Sequence, residues 1–203
     1  MQPSFLIEKQ FHQKLIVGID EVGRGSLAGP VVACCVLLNQ QQNYDYFSQI
    51  NDSKKIKPST RKILANKLMF DMQFGLGVVD SLTVDRINIL QATKMAMYLA
   101  YQDFCFKYNF QPDVLLIDGN IKPFSLEKQI ILPIIKGDSK SFSIASASII
   151  AKEIRDEILK KYHQQFSMYH FNTNSGYLTL QHKLAIKNFG LCPIHRQSFK
   201  INL

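Results

Sequence analysis

The chain lacks long apolar runs: the longest, Val31 to Leu38, has eight residues, far short of the roughly 20 that cross a bilayer as a helix. No membrane-spanning helix is expected. The N-terminus, MQPSFLIEKQFHQK, mixes charged and amide residues where a secretory leader carries a continuous apolar stretch. The cytoplasm is therefore the expected location. Cysteine is scarce, with Cys34 and Cys35 adjacent and Cys105 and Cys192 alone. Without a C-x-x-C pair they point to neither zinc, haem nor redox work, and all four read as reduced packing residues. His170, His182 and His195 lack H-x-x-x-H spacing, which argues against a zinc site. No repeat, low-complexity tract or long linker divides the 203 residues, so one compact domain with a small appendage is expected. Acids are few as well: 16 Asp and Glu face 24 Lys and Arg, a net charge of +8. An excess of that size makes a polyanionic partner a leading expectation.

What is present reads as alternating strands and helices. Lys14 to Asp20 and Val31 to Leu38 are strand patterns too close together for a crossover helix, so they should pair antiparallel. Residues 39 to 58 read as a polar loop, followed by a helix over Thr60 to Phe70 and a strand over Phe74 to Val79. Thr83 to Lys107 is the longest helical pattern, with Ile87, Leu90, Met97, Tyr101 and Phe104 on one stripe facing the sheet. Strands over Asp113 to Ile117 and Gln129 to Ile135 follow, and Pro133 marks the second as an edge strand or a bulge. Ser141 to Lys161 is helical, and its small residues Ala145 to Ser148 permit close approach to a neighbour. A shorter helix over Thr179 to Asn188 precedes a basic C-terminal segment.

Three of these strands end in acids: Asp20 with Glu21, Asp118, and Asp138 beyond the last strand. Each alone is explained by the turn-forming habit of Asp. Together they would stand at the rim of an α/β sheet, where functional groups project from a rigid scaffold. Carboxylates crowded there repel unless a cation sits between them, and oxygen ligands suit Mg²⁺ or Mn²⁺. A basic surface around an acidic cleft points to a nuclease. Asp20 and Glu21 are strand neighbours pointing to opposite faces, so sharing a site requires the chain to leave the strand there. The stretch Gly23 to Ala28 also satisfies G-x-G-x-x-A, but a second strand pattern rather than a helix follows it. It is therefore no dinucleotide site. It can offer backbone N–H groups and the Arg24 guanidinium to a sugar or phosphate.

GIDEVGRGSLAGPVV (18 to 32), DSKKI (52 to 56), NILQATKMAM (88 to 97), LLIDGN (115 to 120), KGDSKSFSIASASIIAKEIRD (136 to 156) and SGYLTLQHKLAIKNFGLCPIHRQSF (175 to 199) together resemble bacterial type 2 ribonuclease H, ribonuclease HII. The resemblance covers nearly the whole chain after residue 14. It implies the ribonuclease H-like fold, a mixed five-stranded sheet flanked by helices, with a catalytic core over 1–165 and a C-terminal helical extension over 166–203. It implies a metal-dependent endoribonuclease that cuts the RNA strand of RNA/DNA hybrids and nicks duplex DNA 5′ of embedded ribonucleotides, as in replication and repair. On this resemblance Asp20, Glu21, Asp118 and Asp138 are the catalytic acids holding two divalent ions, Mn²⁺ or Mg²⁺. Gly23, Arg24 and Gly25 match the loop that contacts the ribonucleotide, and Tyr177 the tyrosine that packs on its sugar. Leu178, where Gly or Pro is commoner, and Ser146, where Ala is frequent, depart from the pattern without touching the acids.

Lys54 and Lys55 are candidate phosphate contacts, as are Lys140, Lys152 and the pair His195-Arg196, each against the plainer reading of a solvated charge. Asp138, just ahead of the helix at Ser141, is expected to be kept ionised by the helix dipole. Two rival functions share parts of this pattern. A DNA-cleaving nuclease of the same fold would keep the acids without Arg24 and Tyr177, and a non-catalytic hybrid-binding module would keep only the basic surface. A monomer is expected.

Overall fold

Aliphatic and β-branched runs build the centre of the protein, a computed structural model that describes residues 2–38, 44–120 and 122–201. Three strands, β1 (Ile16–Val22), β2 (Val31–Leu37) and β3 (Gln73–Val79), form an antiparallel meander. Two more, β4 (Val114–Asp118) and β5 (Ile130–Ile134), continue it in parallel. The order is β3-β2-β1-β4-β5. Pro133 lies in the edge strand β5, where a missing N–H costs no ladder bond.

Four helices follow the expected order, α1 (Pro58–Asp71), α2 (Ser81–Tyr108), α3 (Phe142–Gln165) and α5 (Leu180–Phe189), and an unexpected short one, α4 (Phe171–Asn174), lies before the last. Asp80, Ser141 and Thr179 cap α2, α3 and α5 by accepting backbone N–H bonds from Thr83, Ile144 and His182. Alternate strand residues bury opposite faces. Val17, Ile19, Val31, Ala33, Leu115 and Ile117 pack against α2, whereas Val32, Cys34 and Val36 pack against α1 and α3. At Gly18 the sheet meets the backbone of α3 directly, since a Cβ there would stand 2.2 Å from the Ser143 carbonyl carbon. That contact sets how closely α3 approaches β1.

Several expectations need correction. The segment read as a polar loop buries Tyr46, Phe47 and Ile50, and Phe47 stacks on Phe142 at 5.6 Å; its residues 39–43 lie outside the described ones. The long helix α2 is broken at Asn88, with φ of 67°. The Asn88 side chain then accepts from the N–H groups of Leu90 and Gln91, restarting the helix. This rotates Leu90 out of the stripe into solvent, while Met97, Tyr101 and Phe104 stay buried. Cys34 and Cys35 are buried and all four cysteines are unpaired, with burial pushing the thiols of Cys34 and Cys35 up. Beyond α3 the chain folds back on the glycine loop through a separate apolar cluster that includes Leu27, Ala28, Leu159, Tyr169, Phe171 and Ile194.

Candidate active site

β1 stays paired with β2 through Val22, two residues past Asp20, whereas β4 stops at Asp118. Beyond that point β1 has no neighbour on its β4 side, and both its faces open into one notch at the end of the sheet. Asp20 faces α3, where Ser148 hydrogen-bonds its carboxylate. Glu21 faces α2, sharing a recess with Leu90, Thr93 and Met97. The expectation that the chain must leave the strand is thus wrong: the pair reaches one site because the adjacent strand ends.

The notch opens into a cleft of about 780 Å³ lined by Asp20, Glu21, Asp118 and Asp138, with Gly23, Arg24, Gly25, Lys54 and Tyr177 around it. Asp118 enters from the end of β4, where its Oδ1 accepts the Gly137 N–H at 2.6 Å. Asp138 comes from the short 3₁₀ turn Gly137–Ser139 between β5 and α3. Asp20 accepts the Glu21 N–H at 2.7 Å, and behind it the hydroxyls of Ser148 and Ser53 are 2.9 Å apart.

The electrostatics are those of crowded, desolvated acids. Burial, then Glu21 and Asp118, push the Asp20 carboxyl well up. Burial also raises Glu21, against the lowering effect of Arg24, whose Nη1 lies 3.3 Å from Oε1. Asp138 is raised by burial, Asp118 and Asp52, partly offset by Lys54. The helix dipole does not keep Asp138 readily ionised, as expected above, because burial and like charge outweigh it. The N-terminus of α3 is taken instead by Glu8, whose Oε1 accepts from Ser143 N at 3.1 Å and from the hydroxyls of Ser141 and Ser143.

A cation is the natural relief for such a site. Glu21 Oε2 is buried and has no hydrogen-bond partner, an acceptor aimed where a ligand belongs. The donor set, carboxylate oxygen throughout, suits a hard divalent ion. The acids are not already drawn into a tight cage, and no three His, Cys, Asp or Glu side chains among the described residues form one. They border the cleft from β1, the end of β4 and the turn after β5 rather than meeting at one point.

The basic candidates divide. Lys54 lines the cleft, as does Lys152, which is tied to Asp156 at 2.6 Å. Lys55 turns toward Asp52 at 3.9 Å and Lys140 lies away from the cleft, so neither lines it. His195 and Arg196 are buried and cannot meet a phosphate. Arg196 donates to the Gly29 and Arg24 carbonyls. The two histidines form a relay of hydrogen bonds. Cys192 N donates to His195 Nδ1 at 2.9 Å, His195 Nε2–H to His182 Nε2 at 2.9 Å, and His182 Nδ1–H to the Tyr177 carbonyl at 2.9 Å. Burial lowers both rings, His195 to about 4, and this sequence of donors follows from their being neutral; His195 Nδ1 also lies 3.2 Å from the Cys192 carbonyl.

The relay anchors the main chain of Tyr177, whose half-exposed ring stands opposite the glycine loop. A Cβ on Gly25 would lie 3.9 Å from Tyr177 Cε1. Ser53 and Ser148 behind Asp20, and the buried Arg155 behind the loop, escaped the sequence reading, and Arg196 beside it was read as a phosphate contact. Nothing in single-sequence spacing separates a buried guanidinium from a surface one.

Comparison with known proteins gives the family of the chain. The family model of Ribonuclease HII matches residues 17–202. The chain is 47% identical over 189 residues to the ribonuclease HII of Syntrophus aciditrophicus, covering 93% of this chain and 85% of that one. It is 46% identical to that of Chlamydia abortus over 196 residues, covering 95% and 88%. Among solved structures, the ribonuclease H2 of Pyrococcus horikoshii superposes with a TM-score of 0.75 at 23% identity, over 91% of this chain and 93% of that one. Bst-RNase HIII in complex with Mn²⁺ superposes with a TM-score of 0.68 at 22% identity, over 93% and 67%. The mixed sheet, the acid-lined notch at its end and a family match spanning nearly the full length lead to one conclusion: the chain belongs to the ribonuclease HII family.

Proposed function

We propose that this chain, an endoribonuclease by family, hydrolyses the RNA strand of RNA/DNA hybrids and nicks duplex DNA on the 5′ side of an embedded ribonucleotide. Asp20, Glu21, Asp118 and Asp138 are its metal-holding acids. The observation that carries the reading is the one cleft these acids share, reached from β1, β4 and the turn after β5, with Glu21 Oε2 buried and unpartnered inside it. These acids would hold two divalent ions, Mg²⁺ or Mn²⁺, which when bound would supply activation of the attacking water and neutralisation of charge on the departing 3′ oxygen, and the products would carry 3′-hydroxyl and 5′-phosphate ends.

The remaining work belongs to the chain. Arg24, held beside Glu21 in the free protein, is placed to turn to the ribonucleotide or its phosphate. The amides of Gly23 and Gly25 border the same wall, where the 2′-OH, both donor and acceptor, distinguishes RNA from DNA. Tyr177 supplies a flat face for the sugar from the opposite side. Lys54 neutralises phosphate charge next to Asp138. Action as a monomer belongs to this reading, and cytosolic work on genomic duplexes fits the net charge of +8.

The test is cleavage of three duplexes, one with a single ribonucleotide, one a continuous RNA/DNA hybrid and one all DNA, with Mg²⁺ or Mn²⁺ and with chelator. Ribonucleotide-dependent, chelator-sensitive nicking is expected. Asp118→Asn should lower the rate by at least about a thousandfold, a loss of the few kcal/mol that metal stabilisation contributes. Equal cutting of the all-DNA duplex supports a DNA nuclease instead, and binding without cleavage a non-catalytic module. Undiminished turnover by Asp118→Asn removes the assigned role.

A further inference from the structure

We infer that Arg155 is the positioning residue for ribonucleotide discrimination, acting without touching the substrate by clamping the glycine loop and the Tyr177 turn to one helix. This rests on the junction-reading role proposed above. Arg155 lies on α3 and is fully buried. Its Nε donates to the Pro30 carbonyl at 2.8 Å, and its Nη2 to the Ala28 carbonyl at 3.0 Å and to Ser26 Oγ. Its Nη1 crosses to the other reading element and donates to the Ser175 carbonyl at 2.9 Å. The adjacent Asp156 accepts the Ser175 hydroxyl at 3.0 Å. Two consecutive residues of one helix therefore hold the carbonyl and the hydroxyl of Ser175, two positions before Tyr177.

The turn needs holding. Ser175 sits in the left-handed region with φ of 49°, which an L side chain adopts only when its surroundings over-determine it. Gly176 follows with φ of 77°, and a Cβ there would stand 2.3 Å from the Ala28 carbonyl oxygen. Ala28 N in turn donates to the Gly176 carbonyl at 3.1 Å. The floor of the loop and the turn thus touch, and the guanidinium is the mould around which both are shaped. At Gly23 a Cβ would fall 2.3 Å from Arg155 Nε.

The chemistry of the residue explains the choice. The acceptors of Arg155 are three carbonyls and one hydroxyl, all neutral. A charge buried on neutral oxygens is a costly arrangement, yet only a planar fork with five donors can reach four acceptors on two segments together. The arrangement sets the gap between Gly25 and the Tyr177 ring, into which a single sugar must fit. A duplex with one ribonucleotide offers one 2′-OH, so a displaced gap misses it. A continuous RNA strand offers one at every step, so a displaced gap still finds a partner.

Arg155→Lys, which keeps the charge and removes the fork, is compared with the parent on the single-ribonucleotide duplex and on the continuous hybrid, under single-turnover conditions with saturating Mn²⁺. The rate on the single ribonucleotide should fall about 10- to 100-fold, the scale of an ångström-sized misplacement, while the hybrid rate changes less than about threefold. The Mn²⁺ concentration giving half-maximal rate should be unmoved. Equal losses on both substrates, with the ratio preserved, would make Arg155 a structural residue only and overturn the inference. If Arg155→Lys fails to fold, Ser26→Ala decides, since it removes the loop hydroxyl that Arg155 Nη2 holds and leaves the guanidinium in place. It should lower the same ratio severalfold, and an unchanged ratio overturns the inference. A parent protein that cuts all-DNA duplex as fast as the single-ribonucleotide duplex sinks the junction reading itself, whereas selective parent cleavage with unselective losses in the variants sinks only the role of Arg155.

Discussion

Gly18→Ala adds one methyl group where β1 meets the backbone of α3. The new Cβ would stand 2.2 Å from the Ser143 carbonyl carbon and 2.3 Å from Ile144 N. Both are main-chain atoms that no rotamer change can move, so the start of α3 must recede by about 1.2 Å to reach the ordinary contact near 3.4 Å. Overpacking of a tight core costs roughly 1–3 kcal/mol, and a backbone clash belongs at or above the top of that range. For a chain of this size each kcal/mol moves Tm by about 2–4 °C, so a fall of about 6–12 °C is expected. The same displacement carries Ser148 away from Asp20 and shifts the turn bearing Asp138, with a loss of about 100-fold in cleavage. Thermal unfolding followed by far-UV circular dichroism and cleavage of the single-ribonucleotide duplex measure both effects. Gly25→Ala is the stability control: its Cβ would meet only Tyr177 Cε1, at 3.9 Å, and its Tm should hold. A Gly18→Ala protein melting within about 2 °C of the parent and cutting at the parental rate would refute the account of α3 placement.

Two further outcomes follow from buried acids. In chelator, Asp20→Asn should be more stable than the parent by about 1–3 kcal/mol at neutral pH, because it removes a desolvated charge crowded by Glu21 and Asp118. Asp20 has a folded pKa above its unfolded one, so its contribution to stability is present below the ordinary carboxylate range near 4 and lost as pH rises through the raised value. The advantage of Asn should therefore fade on acidification, and a constant gap from pH 4 to pH 8 would contradict the sign. Glu8→Ala removes the carboxylate that caps α3 through Ser141 and Ser143, and should cost about 2 kcal/mol, read as a lower urea midpoint. An unchanged midpoint would show that the N-terminal segment contributes nothing to that helix.

The order of elements could be read from the chain because the signals involved are local. Alternating apolar residues specify strands, and apolar residues recurring three and four apart specify the helices, both within a few residues of chain. The acids after the strands were visible for the same reason. The break at Asn88 was not, since one left-handed residue inside a periodic pattern leaves the spacing intact. Nor was the burial of Tyr46, Phe47 and Ile50 in a segment whose composition reads as polar loop.

Polar residues show the division most sharply. By type and spacing alone, Asp20, Glu21, Asp118 and Asp138 were candidates, and the sequence determined that carboxylates would crown the sheet. Whether neighbours on one strand could share a site depended on where β4 stops, a property of pairing between segments nearly 100 residues apart. His195 and Arg196 looked like surface charge and are interior, the first closing a neutral relay to Tyr177 and the second holding the loop at Arg24 and Gly29. Solvation is what changes a charge from a phosphate contact into an internal brace, and solvation is decided only when distant parts of the chain close over it.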